Sequence, residues 1–205
     1  MNKKAVSISL VISIIFAAVW NIAAFANECN EIRSECVRLH ILANSDSQRD
    51  QDIKLIVRDE ILKHSNEIFP GNINPKNAKE IIEPKLHLIE EMVNKVLKEN
   101  NASYKCTAKI DYEYFSTREY ENEITLPAGR YIALIINLGK AEGKNWWCVL
   151  FPSLCLPAAD KNTPKIEDVF SDKQAQIVSN SKNYVIKFKI VEIIEELKNK
   201  ANNKS

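Results

Sequence analysis

The sequence predicts an α+β fold, a mostly antiparallel sheet with helices packed on it, behind an N-terminal apolar segment. Three observations carry that class. Apolar residues alternate with period two over residues 37–41 and 105–114, they recur at three- and four-residue spacing over 47–68 and 74–96, and residues 5–25 are uncharged.

Lys3 and Lys4 give the N-terminus a short positive charge, and the Val-, Ile-, Leu-, Ala- and Phe-rich stretch that follows is an export segment. It ends in Ala24-Phe25-Ala26, with small residues at both positions that signal peptidase must fit, so cleavage is expected after Ala26. Residues 1–26 are then a signal peptide and 27–205 one extracytoplasmic α+β domain. The alternative is an uncleaved anchor that keeps residues 5–26 in the membrane; at 1.5 Å per residue they span about 30 Å. Glu28 just before Cys29 is wrong for a lipid-bearing cysteine.

Along the chain, Val37, Leu39 and Ile41 alternate with Arg38 and His40, as in a strand with one buried face. Asn44-Ser45-Asp46-Ser47 breaks the pattern. Ser47 followed by Asp50 resembles a capping box, and Ile53, Ile56, Val57, Ile61 and Ile68 form a helical stripe down to Pro70-Gly71. A second helical region is expected from Asn74-Pro75, with Pro84 kinking or splitting it. From Lys105 the period is two again, with Cys106, Ala108, Ile110, Tyr112 and Tyr114 on one face and Thr107, Lys109, Asp111 and Glu113 on the wet one. Residues 130–138, after the turn at Pro127-Ala128-Gly129, are apolar on both faces and predict a central strand. Residues 153–165 are a proline-containing loop, and a C-terminal helix is expected from about Asn183.

Charge narrows the function. The 28 basic residues less Lys3 and Lys4, against 27 acidic, leave a net −1 and no electrostatic footprint for nucleic acid. No cofactor motif is present, and none of the five cysteines has C-x-x-C spacing, which disfavours zinc and thioredoxin-like chemistry. Cys148 and Cys155 are close enough for a turn at Pro152 to join them in a disulfide; buried free thiols are the other reading. His64 and His87 lack the spacing to share a metal.

Polar groups crowd the first strand-to-helix junction: Arg38, His40, Asn44, Ser45, Asp46, Asp52, Lys54, Arg58 and Asp59. A hydrolase would use His40 as base and Ser45 as nucleophile beside Asp46, but no glycine-flanked elbow surrounds Ser45. Helix capping and a solvated face explain the same residues without catalysis. Trp146 and Trp147, two of the three tryptophans, are adjacent, so on a strand they point to opposite faces. Either one serves the core and the other a partner, or both are covered.

Two long blocks resemble the stage II sporulation protein R family: Val37-Arg38-Leu39-His40-Ile41-Leu42-Ala43-Asn44-Ser45-Asp46-Ser47 with residues 50–59, and Pro127-Ala128-Gly129-Arg130-Tyr131 through Asn145-Trp146-Trp147-Cys148-Val149-Leu150-Phe151-Pro152-Ser153-Leu154-Cys155. The resemblance implies a non-enzymatic signalling role in endospore formation. Such proteins are exported from the forespore into the space between its membrane and that of the mother cell. There they switch on a membrane-embedded aspartic protease that processes the sigma-E precursor. On that basis Arg38, His40, Asn44, Ser45, Asp46, Asp52, Arg58 and Asp59, with Trp146 and Trp147, are expected to form one docking surface for the protease.

Overall fold

The computed structural model describes residues 3–69, 73–120, 124–152 and 166–202. Two compact units divide the chain. One comprises Ser34–Phe115 and Arg130–Ser171, the other Met1–Arg33, Ser116–Gly129 and Asp172–Ser205.

The first unit is built on a four-stranded sheet in the order β2-β5-β1-β6, formed by β1 (Val37–Leu42), β2 (Cys106–Phe115), β5 (Gly129–Leu138) and β6 (Asn145–Phe151). The α+β class holds, and the sheet is mixed: β1 runs parallel to β5 and antiparallel to β6. Val37 to Ile41 are buried at every position, so both faces of β1 are covered, not one as alternation alone predicts. On one face Val37, Leu39 and Ile41 meet Ile132, Leu134 and Ile136 of β5, in register, and join a core completed by two helices.

Those helices are α2 (Gln48–Lys63) and α5 (Leu86–Glu99). Ser47 caps α2 by accepting from the Asp50 N–H at 3.2 Å, and Ile53, Val57 and Ile61 point into the core. Ile56 of the expected stripe is instead 42% exposed, because it lies one residue off the 3.6-residue repeat. A short α3 (Ser65–Ile68) follows, and the expected stop at Pro70-Gly71 lies outside the described residues. Asn74 caps a turn, its Oδ1 accepting from the N–H groups of Lys76 and Asn77, so α4 (Ala78–Ile82) starts later than Asn74-Pro75 suggests. Pro84 does split the region: a 3-10 turn over Glu83–Lys85 separates α4 from α5.

Strand β2 is an edge strand, and α5 covers its backbone. Glu90 accepts from the Ala108 N–H at 2.7 Å and Asn94 from the Cys106 N–H at 2.8 Å, which removes a template for edge pairing. Cys106 and Ile110 face the core as expected, but Tyr112 is 58% exposed while Phe115, of opposite parity, is buried. The end of β2 therefore serves the other face of the sheet.

The second unit holds α1 (Lys3–Ser34), the short pair β3 (Arg118–Glu119) and β4 (Thr125–Leu126), α7 (Asp172–Ser179) and α8 (Val185–Asn202). A single-turn α6 (Ile166–Val169) belongs to the first unit. The expected C-terminal helix is α8, preceded by a 3-10 turn at Ser181–Asn183. Sequence reading found neither β3 and β4 nor α7, since two-residue strands carry no periodicity and α7 is only two turns long.

Candidate functional site

β5 and β6 are consecutive in sequence but separated in the sheet by β1, so residues 139–144 must cross the end of β1. That crossover explains the polar junction. The Gly143 N–H donates to the Ala43 carbonyl at 2.9 Å, the Lys144 N–H to Asp46 Oδ1 at 2.7 Å, and the Lys140 N–H to Asn44 Oδ1 at 3.0 Å. Lys54, 5% exposed, closes the set by donating to the Lys144 carbonyl at 3.0 Å and to Gln51 Oε1 at 2.6 Å. Burial holds its ammonium below the usual lysine range. The approach is so close that a Cβ at Gly143 would lie 2.2 Å from the Ser45 carbonyl oxygen.

Asp50 is the hub of the junction. Its Oδ2 accepts from Ser45 Oγ at 2.5 Å and Asn44 Nδ2 at 2.8 Å, and its Oδ1 from the Tyr104 hydroxyl at 2.7 Å. Burial pushes this carboxyl up, but the bonds from Ser45, Asn44, Tyr104 and Ser47 together hold it below the usual carboxylate range. The Tyr104 hydroxyl is correspondingly raised, by burial and by that same carboxylate.

The opposite face of the sheet carries a different cluster. Arg38 is fully buried, its Nε donating to the Cys148 carbonyl at 3.1 Å and its guanidinium lying 4.2 Å from the Phe115 ring centre and 4.8 Å from that of Tyr131. His40, two residues on, is 5% exposed. Its Nδ1 lies 2.7 Å from Glu113 Oε2, and its ring is 5.5 Å from Trp147 and 6.0 Å from Phe115. A carboxylate only accepts, so Nδ1 carries the proton and Nε2 is left as acceptor in the neutral ring; Nε2 is buried and has no hydrogen-bond partner among the described residues.

The predicted docking residues thus fall in three places. Arg38, His40 and Trp147 share one sheet face with Glu113, Phe115 and Tyr131. Asn44, Ser45 and Asp46 are spent on the crossover and the Asp50 hub. Trp146 packs against the core on the other face, with the Arg58 guanidinium 5.4 Å from its ring and Arg58 paired to Asp59 at 2.7 Å. Asp52 is exposed, accepting from Gln48 at 2.8 Å.

The hydrolase arrangement is not assembled. Ser45 Oγ is engaged by Asp50 and Ser47, and the free edge of His40 meets no hydroxyl among the described residues. No group of three or more His, Cys, Asp or Glu is gathered for a metal among them either. Cys148 is disulfide-bonded while Cys29, Cys36 and Cys106 are free and buried; Cys155 lies outside the described residues. Burial pushes the Cys36 and Cys106 thiols up to about 12, which leaves them without nucleophilic thiolate at neutral pH.

Sequence reasoning missed Glu113, Phe115 and Tyr131 as partners of Arg38 and His40, and Tyr104 as a partner of Asp50. A buried cation on a central strand requires aromatic or carboxylate company, but only the pairing of distant strands says which residues supply it.

A model of the stage II sporulation protein R family matches residues 33–161, the span that contains all three places. The chain belongs to the stage II sporulation protein R family. It is 32% identical over 186 residues to stage II sporulation protein R of Bacillus subtilis (strain 168), covering 81% of this chain and 83% of that protein. No solved structure matches it. Membership gives this family member a role in sporulation, and its apolar first helix fits a signal or anchor segment.

Proposed function

We propose that this protein is an intercompartmental signal of endospore formation, exported from the forespore, that activates a membrane-embedded aspartic protease which processes the sigma-E precursor. The observation that carries the reading is the family match over residues 33–161 behind an apolar helix long enough to direct export. A binding role, not a catalytic one, is supported by the chemistry: Ser45 is committed to Asp50, and His40 is held by Glu113 without a nucleophile.

For docking, the exposed face of α2 is favoured over the junction and the buried face of the sheet. Leu55 and Ile56 are exposed there beside Asp52 and Asp59, with the Arg58 and Trp146 pair at its margin. Apolar residues ringed by charge, with a tryptophan and an arginine, have the composition of an interface hot spot. Arg38 and His40 then act from inside, by holding Trp147 and β6 in place.

Coexpression with the candidate protease and the sigma-factor precursor in a non-sporulating host tests the proposal. Precursor shortening on an immunoblot is expected with the full chain and not with a chain lacking residues 1–26. A stable, exported protein that leaves the precursor at full length would overturn it.

A further inference from the structure

Helix α1 runs without a break from Lys3 to Ser34, yet its two parts have opposite environments. Residues 5–24 are almost wholly exposed: Ile8, Leu10, Ile12, Ile14, Phe16, Val19 and Trp20 each keep at least 58% of their surface. They contain no charge and cover about 30 Å, the thickness of bilayer hydrocarbon.

The last three turns belong to the folded unit. Phe25 is 5% exposed and both Cys29 and Ile32 are fully buried, one face of the helix. The Phe25 ring stacks on Tyr184 at 5.5 Å and meets Phe188 edge-on at 5.2 Å. Glu28 pairs with Lys173 at 2.6 Å, and Glu31 accepts from Gln174 at 2.8 Å. Arg33 donates to the Ala128 carbonyl at 2.6 Å and faces Glu195 at 3.6 Å.

We infer that α1 is retained as a membrane anchor, its exposed apolar face occupied by a lipid bilayer and its last turns serving as a core helix of the unit it anchors. In the folded unit the Ala24-Phe25-Ala26 segment is helical and its central residue packs against two rings. Cleavage after Ala26 would remove Phe25 and uncover Tyr184 and Phe188. The residues beside Phe25 also mark where the bilayer ends: Val185 and Ile186 are 63% and 76% exposed, and Lys187 Nζ lies 5.5 Å from the Phe25 ring centre and 5.6 Å from that of Tyr184. Aliphatic, aromatic and lysine side chains at one level are the composition of a membrane interface.

The test is independent of the protease. The full chain and its Ala24→Phe variant are expressed in an exporting Gram-positive host, and membranes are extracted with alkaline carbonate before intact-mass measurement. Ala24 is exposed, so phenylalanine there blocks the peptidase subsite without disturbing packing. Both proteins are expected at the same full length in the membrane pellet. A wild-type chain shorter by residues 1–26 beside a full-length variant would overturn the inference. Full-length protein released by carbonate as a soluble oligomer would overturn it too, since a second copy would then cover the helix.

Discussion

The two faces of β1 make opposite use of one six-residue strand. Val37, Leu39 and Ile41 sit in an aliphatic core between α2 and α5, where burial itself stabilises. Arg38 and His40, on the alternate positions, are just as buried but carry groups whose desolvation is offset only by aromatic faces, a carbonyl and the Glu113 carboxylate. A strand selected for stability alone would hold aliphatic residues on both faces. The first face reports on folding, and the second is where a substitution can separate folding from the proposed signalling.

Four measurements would break or sharpen that contrast. Leu39→Ala on the aliphatic face is expected to lose about 2 to 5 kcal/mol in denaturant unfolding, because the packed core cannot collapse onto the missing atoms; a loss no larger than that of any variant below would erase the difference between the faces. Asp50→Asn, in the first turn of α2, should lose about 2 kcal/mol at neutral pH, as the carboxylate accepts several bonds. Since Asp50's folded pKa is depressed, its contribution is fully present above the ordinary carboxylate range and vanishes as pH falls through the lower folded value. The stability gap between wild type and Asp50→Asn should therefore close in acid, and a pH-independent gap would remove Asp50 from the account.

Arg38→Met should keep stability within about 1 kcal/mol, since an apolar side chain of similar length avoids desolvation, while precursor processing falls about tenfold, equivalent to about 1.4 kcal/mol of coupling. Global unfolding of this variant would make the second face structural like the first. Arg58→Ala is the mildest, about 0.5 to 1 kcal/mol for a half-buried surface cation–π contact. Processing that falls with an unchanged melting temperature would place docking at the Trp146 margin of α2, and unchanged processing would exclude it.

Much of the fold was legible because periodicity reports local burial. The capped start of α2, the break at Pro84, the buried β5 and the C-terminal helix all follow from spacing and from proline or capping chemistry. The parallel pairing of β1 with β5 was not, because alternation says which residues share a face and nothing about which strand lies beside them. The site suffered for the same reason. Asn44, Ser45 and Asp46 look like exposed reactive groups in sequence; only a loop arriving from residues 139–144 turns them into backbone partners. His40 and Glu113 are 73 positions apart, and no local pattern joins them.

Threading β1 between β5 and β6 also sets an order of events. Adjacent strands usually zip first as a hairpin, but here that closure would leave the central slot empty, and the sheet is complete only once its last strand, more than 90 residues after β1, has been made. Until Phe151 is available the chain cannot complete this sheet. Any route across a membrane that accepts only unfolded polypeptide is thereby kept open until nearly three quarters of the protein has passed through it.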